Sequence, residues 1–324
     1  MANCVLPLWT HRLFSITTPR MSQHIRIATR ASDLALAQAN MVKAALEAAH
    51  SDIRCELLPM VTSGDRNQTD DLAHWGYKGL FTKEIEEALL SHTADIAVHS
   101  MKDMPSQLPD GLMIAAMLPR ADARDAFIST AYSSLDALPQ GAVVGSSSVR
   151  RSAWLRSLRP DLVIVPYRGN VPSRLRKLAE GEVAATLLAV AGLERLGLQS
   201  HITHILEPDV MLPAVAQGAI GIECRSDDSA VQQQLAAISH SPTMQCVSAE
   251  RGVLIALDGS CKTPLSAYAT LQNGQIHLRA ALINPDNLQR WESDITGAAD
   301  DAESIGRMLG NQLQSRAADD GFSL

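Results

Sequence analysis

From residue 25 onward the hydrophobic positions switch between two spacings. Residues 25–29 (Ile-Arg-Ile-Ala-Thr) read as a strand that puts Arg26 and, at its exit, Arg30 on one face. Ser32 or Asp33 can cap a helix running to about Ala49, with Leu34, Met41, Ala45 and Ala48 near one face. Residues 55–61 predict a second strand, ended by the turn Ser63-Gly-Asp65. Phe81, Ile85, Ala88 and Leu89 fall at i, i+4, i+7 and i+8, the signature of an amphipathic helix. Residues 94–99 form a short apolar strand. This strand–helix rhythm implies a largely parallel sheet with helices on its faces. A second α/β unit begins near Asp122, with strands at residues 125–129, 143–145 and 162–165; 186–190 reads as strand or helix, and 219–224 as a further strand. The C-terminal part differs. Leu265–Gln272 and Gln275–Ile283 flank Asn273-Gly274, a strong hairpin signal. A helix with Ala302, Ile305, Leu309 and Leu313 on one side follows, giving a small α+β unit from about residue 241.

Composition narrows the functional classes. The chain has 324 residues, 46% of them hydrophobic, enough for two or three domains. Aromatics are only 4%, against the stacking platforms of single-strand nucleic-acid binders. A net charge of −7 argues against a general phosphate-backbone binder, and no run reaches membrane-span length. The cysteines are Cys4, Cys55, Cys224, Cys246 and Cys261, an odd number with no CxxC pair. That is neither a disulfide framework nor a zinc pattern, so no metal and a reducing, cytoplasmic setting are expected. Met1 to Arg20 carry no Asp or Glu and are broken by Pro7, His11 and Pro19. Residues 1–21 are expected to be a tail without catalytic role; a transit-like segment or sequence upstream of a start at Met21 are the other readings.

Against this acidic background, residues 141–180 turn basic. Arg150, Arg151, Arg156, Arg159, Arg168, Arg174, Arg176 and Lys177 face only Asp161 and Glu180 there. Several adjoin loop-formers, as in Gly145-Ser-Ser-Ser-Val-Arg-Arg151 and Arg168-Gly-Asn170. Arginine forks beside glycine and serine suit a pocket for a small molecule with many carboxylates or phosphates. A solvated helix face is the plainer reading for Arg156, Arg159, Arg176 and Lys177. Asp103 follows an apolar strand in His99-Ser-Met-Lys-Asp103, where α/β proteins place catalytic groups. Lys102 and Asp103 could bind an anion and move a proton, or form a surface ion pair. His99 reads equally as a base or as a satisfied core histidine. Lys78-Gly-Leu-Phe81 opens a helix, a ready anion site, and Arg30 precedes Ser32 at another helix start. Cys261 lies on a Gly-Ser-Cys-Lys-Thr-Pro loop beside Lys262, which would lower its thiol pKa.

Taken together these motifs resemble the porphobilinogen deaminase (hydroxymethylbilane synthase) family. The matching pieces are Arg26-Ile-Ala-Thr-Arg30, Lys78-Gly-Leu-Phe81, His99-Ser-Met-Lys-Asp103, Gly145 to Arg151, Arg168-Gly-Asn170, Leu188 to Arg195, Leu212-Pro-Ala-Val-Ala-Gln-Gly218 and Gly259-Ser-Cys261. The resemblance implies two periplasmic-binding-protein-like α/β domains with an active-site cleft between them, plus a small C-terminal α+β domain. Their implied extents are 22–120 with 214–238, 121–213, and 239–324. It implies head-to-tail joining of four porphobilinogen molecules, with loss of four ammonia, on a dipyrromethane cofactor bound to Cys261 by a thioether. By motif position Asp103 is catalytic. Lys102, Asp103, Ser148, Arg150, Arg151, Arg174 and Arg195 hold the cofactor. Arg30, Ser32, Lys78, Phe81, Arg168, Arg174 and Gln217 bind substrate. A monomer handing its product to uroporphyrinogen-III synthase is implied, in haem and tetrapyrrole biosynthesis, with no nucleic-acid or membrane partner. Three positions depart from the family pattern: Tyr77 in the loop before Lys78, Asp33, and Ala216, where glycine is usual near a hinge. The residues alone leave two rivals open, a non-catalytic binder of a small polyanion and a nucleic-acid binder using the basic window.

Overall fold

A computed structural model describes residues 23–66, 82–259 and 263–322. The tail at 1–21, Tyr77, Lys78, Phe81 and Cys261 lie outside the described residues. The first lobe begins with β1 (Gln23–Arg30), α1 (Asp33–Ala49), β2 (Ile53–Met60), α2 (Ser63–Arg66), α3 (Lys83–Leu90), β3 (Ile96–Ser100) and β4 (Leu112–Met117). The second lobe carries β5 (Asp125–Ile128), β6 (Val143–Gly145), α4 (Val149–Leu158), β7 (Val163–Val165), α5 (Val171–Ala179), β8 (Ala185–Ala189), α6 (Val190–Arg195) and β9 (His204–Leu206). The chain then returns through β10 (Ile220–Arg225) and α7 (Ser229–Ala236). It ends in α8 (Ser241–Ala256), β11 (Leu265–Gln272), β12 (Gln275–Ile283), β13 (Arg290–Ala298) and α9 (Ala302–Asp319).

Both lobes are built alike. The first sheet runs β2-β1-β3-β10-β4 and the second β7-β6-β8-β5-β9. Each is parallel except for its fourth strand: β10 is antiparallel to β3 and β4, and β5 to β8 and β9. In each case that odd strand is the first the chain forms after crossing from the other lobe. The expectation of largely parallel sheets therefore holds with one inserted exception per lobe. The third sheet is the antiparallel meander β11-β12-β13. Its hairpin turns at Asn273 (φ 51) and Gly274 (φ 73), left-handed conformations that Asn and Gly tolerate best.

Local chemistry explains the helix starts. Ser32 caps α1 by accepting from Ala35 N (3.4 Å), Ser148 caps α4 from Arg151 N (3.3 Å), and Asn170 caps α5 from Ser173 N (2.9 Å). The expected apolar face of α1 is corrected. Gln38, Ala39, Val42 and Leu46 are buried, while Met41 is 45% exposed and Ala48 faces solvent. Gln38 is admitted to the interior because its amide trades hydrogen bonds with Ser100 Oγ (2.8 and 3.0 Å). The ambiguous stretch near 186–190 is strand β8 up to Ala189, and α6 starts at Val190.

The third unit is continuous with the first lobe in its interior. Val253, Leu254, Leu278, Leu309 and Leu313 share one apolar cluster with Met101, Met104 and Met117. The two interlobe stretches, residues 118–124 and 207–219, are also tied to it. Glu250 of α8 accepts from both ends of the Arg120 guanidinium, from Ala216 N (2.6 Å) and from Ala269 N (2.9 Å). Arg120 Nε donates to Gln217 O at 2.9 Å, closing the link between the two crossings. Ala216 has φ 59, the left-handed region, which is the physical reason a glycine suits that position. Among the described residues no helix is long and apolar enough to cross a membrane.

Candidate active site

Asp103 ends a short 3-10 turn, Met101–Asp103, directly after β3. The turn is fixed from below. Met101 (1% exposed) and Met104 (3%) on either side of Lys102-Asp103 are sunk in the apolar cluster shared with α8. Gly221 on β10 makes this possible, since any Cβ there would collide with Met101 Sδ. From the far side, Arg251 of α8 donates to Pro105 O (2.7 Å) and Ser106 O (3.2 Å). Asp103 itself stays exposed, on the wall of a pocket it shares with Arg30, Ser32, Gln38, His99 and Ser100. A second pocket, lined by Ser146, Ser147, Arg156, Arg168 and Pro285, opens at the start of α4.

The second lobe brings its cations to a carboxylate that sequence reasoning missed. Asp125, fully buried at the start of β5, accepts from Arg150 Nη2 (2.6 Å), Arg151 Nη2 (2.6 Å), Arg151 Nε (3.0 Å) and Gln217 Nε2 (3.1 Å). Arg150 Nη1 and Arg151 Nη1 end on Leu212 O (2.8 Å) and Leu187 O (2.9 Å). The expectation that both forks stand free for a ligand thus meets an internal carboxylate already in their grip. Although burial pushes it up, Arg150 and Arg151 hold the Asp125 carboxyl far below its usual range. Gln217, expected to bind substrate, is buried in the crossing stretch and also donates to Ala123 O (2.7 Å). A signal was present in the sequence. An aspartate heading an apolar strand needs cations, and the paired arginines of α4 are the ones that reach it.

Three other cations are not gripped by a carboxylate in this way. Burial pushes the Lys102 ammonium down to about 8; Asp103 opposes the shift, and Arg151 and Arg150 reinforce it. Arg174 is pushed down to about 10 by burial and by Arg151, with Nε donating to Gly169 O (2.8 Å). Arg195 is pushed down to about 10 by burial; Nη2 donates to Gly218 O (2.6 Å), while Nε is buried with no partner among the described residues. Arg251, lowered by burial, is held among the described residues only by backbone carbonyls, whereas several other arginines have acids of their own. Arg26 is raised by its hydrogen bond to Asp95 and Arg124 by that to Asp122, and Arg120 is raised by Glu250 against its burial. Half-buried cations whose desolvation outweighs their acids suit a place that receives anions. Lys102 of the first lobe is close enough to Arg150, Arg151 and Asp125 for their charges to act on it, so the two lobes share one electrostatic site. Arg168 is exposed on the loop before α5, at the second pocket.

Residues 25–233 match the family model for the porphobilinogen deaminase dipyrromethane cofactor binding domain, and residues 244–315 match that for the porphobilinogen deaminase C-terminal domain. The chain belongs to the porphobilinogen deaminase family. It is an enzyme of that family, a transferase of tetrapyrrole biosynthesis, and its matched N-terminal region is the dipyrromethane-binding part. Solved structures similar to it include a periplasmic substrate-binding protein of an ABC transporter from Coxiella burnetii (15% identity, TM-score 0.43, covering 70% of this chain and 96% of that one). A putative methionine-binding lipoprotein from Bacillus subtilis is similar at 14% identity and TM-score 0.43, covering 68% and 92%. The two-lobed α/β architecture with a small third unit stands on the strand orders above. The porphobilinogen deaminase cofactor fits the residues present. A dipyrromethane built from two porphobilinogen units carries an acetate and a propionate on each ring. Lys102, Arg174 and Arg195, half-buried and pushed down by desolvation, are donors suited to such carboxylates.

Proposed function

We propose that the chain joins four porphobilinogen molecules head to tail, releasing four ammonia and then hydroxymethylbilane, from a dipyrromethane primer on Cys261. When bound, the dipyrromethane supplies the electron-rich pyrrole carbon to which new rings are added. The observation that carries this reading is an exposed carboxylate, Asp103, which the fold clamps from two sides and which stands next to Lys102, a cation on which the charges of Arg150 and Arg151 also act.

Lys102, Arg174 and Arg195, with Ser148 at the start of α4, would hold primer carboxylates. Arg150 and Arg151, steadied by Asp125, would present their outer donors to the same groups. Arg30 and Ser32 would receive the side chains of incoming porphobilinogen beside Asp103, as would Arg168 at the second pocket. Lys78, Phe81 and Gln217 are assigned to substrate on the family motif. Loss of ammonia from porphobilinogen leaves a cationic azafulvene. A carboxylate fixed beside the pyrrole N–H stabilises that cation without having to reorganise, and Asp103 is the carboxylate assigned to that role. The enzyme would act as a cytoplasmic monomer and pass its product to uroporphyrinogen-III synthase.

The test is the intact denatured mass of the purified protein beside Cys261→Ala. An excess of two linked pyrrole units on the wild type alone is expected. If both proteins show the bare sequence mass and porphobilinogen adds nothing, the joining reaction falls and simple polyanion binding replaces it.

A further inference from the structure

Below Asp103 the pocket carries a second group able to take a proton. His99 lies on β3 and lines the same pocket as Arg30, Ser32 and Asp103. Its Nε2 is 2.9 Å from Glu223 Oε2. Glu223 comes from β10, where Gly221 faces His99 and Glu223 faces Ala97 across the ladder. His99 is 7% exposed and Glu223 0%. Glu86 of α3 is buried close enough to both for their charges to act on it. Among the described residues, Glu223 Oε1 and Glu86 Oε1 are buried without hydrogen-bond partners, and His99 Nδ1 has none either. Two glutamates and one imidazole are a costly way to fill a lobe interior, because buried carboxylates are retained only when paired or protonated. Burial pushes the Glu86 carboxyl up, against a hydrogen bond from Thr82, with Glu223 adding to the rise and His99 opposing it. Glu223 is then the acceptor for imidazole Nε2–H. That hydrogen bond selects the tautomer whose Nδ1 lone pair is available as a base.

The chemistry supplies the need. Porphobilinogen with a protonated amine loses neutral ammonia and becomes the cationic azafulvene. The new carbon–carbon bond takes its electron pair from a ring double bond of the acceptor pyrrole. The proton on the attacked ring carbon must then leave, and the C–H pair restores aromaticity, so each joining step discharges one proton. With Asp103 assigned to the cation, a second acceptor in the same pocket can take that proton. We propose that His99 accepts the ring proton in each joining step and that Glu223 is its positioning residue. This rests on the reading of the pocket as the porphobilinogen-joining site.

The experiment uses cofactor-loaded enzyme and porphobilinogen deuterated at its free ring α-carbon. Rings added early in a round then carry the label when they are attacked. Wild type should show an isotope effect near unity on turnover. His99→Gln should lose about 10²-fold or more in kcat, with a primary isotope effect emerging as ring deprotonation becomes limiting. Glu223→Gln, isosteric and still hydrogen-bonding, should lose less and show the same isotope signature. Should His99→Gln not fold, the Glu223→Gln isotope effect decides alone. A His99→Gln enzyme within about twofold of wild type, or slow variants with no isotope effect, would overturn the assignment. Asp103→Asn separates the two levels. If wild type turns over, Asp103→Asn does not and His99→Gln is normal, only this inference fails. If wild type makes no tetrapyrrole, the reading of the pocket fails with it.

Discussion

Replacing Asp125 by Asn tests how the arginine pair is held. The wild-type carboxylate receives three hydrogen bonds from two guanidinium groups and one from Gln217. In Asp125→Asn one side-chain oxygen can still accept from Arg151 and Gln217. The other position becomes an amide N–H₂ pointed at Arg150 Nη2, a donor meeting a donor where the bond was 2.6 Å. Two buried positive charges then share no counter-charge. Removing one partner of a buried ion pair costs about 3–5 kcal/mol, a large part of the roughly 5–15 kcal/mol that holds a typical fold. A urea titration followed by far-UV circular dichroism should show the midpoint falling accordingly, with less dipyrromethane retained by mass. The sign of the pH dependence is also fixed. Asp125 has its folded pKa depressed, so its stabilisation is present above the unfolded carboxylate range and is lost as pH falls through the folded value. The stability gap between wild type and variant should therefore be constant from about pH 5 to 8 and close only in strong acid. A variant within about 1 kcal/mol of wild type, or a gap that closes already near pH 5, would refute the claim that Asp125 anchors the pair.

Two further outcomes follow from other parts of the molecule. Lys102 is charged below about 8, so cofactor retention and kcat/KM should fall as pH rises through that value, and Lys102→Arg should move the fall to higher pH; an unchanged alkaline limb in the variant would assign it elsewhere. Gly306 of α9 faces α8 so closely that a Cβ would lie 2.9 Å from Gly252 Cα and closer still to Ala249 O, so Gly306→Ala should cost about 1–3 kcal/mol and lower Tm by several degrees, and an unshifted melt would count against the helix contact.

What the chain discloses by itself depends on range in sequence. The Asn273-Gly274 hairpin, the buried face of α9 and the Ser32 cap are set within a few residues, and the structure has them as expected. The placement of β10 between β3 and β4, and of β5 between β8 and β9, is set by pairing across the lobe exchange, so no local pattern reveals it. Strand β13 escaped notice because Arg290, Glu292 and Asp294 alternate along it and it carries few apolar side chains. Glycine and serine beside the arginines pointed to the start of α4. They could not show that Arg150 and Arg151 already hold Asp125 while Arg195 has no acid in its grip among the described residues, because that difference lies in which acid the fold delivers.

The exchange of fourth strands also sets an order of assembly. All five strands of the second lobe lie between Asp125 and Leu206, so that sheet can close as soon as this stretch has been synthesised. The first lobe, begun a hundred residues earlier, cannot close then. Its β3 and β4 are not joined into one sheet until Ile220–Arg225 pairs between them. During synthesis two strand edges of the first lobe therefore stand open, the kind of surface that pairs wrongly with other chains. The lobe that leaves the ribosome first is completed second, and the growing polypeptide has to shelter its own N-terminal half until the return strand arrives.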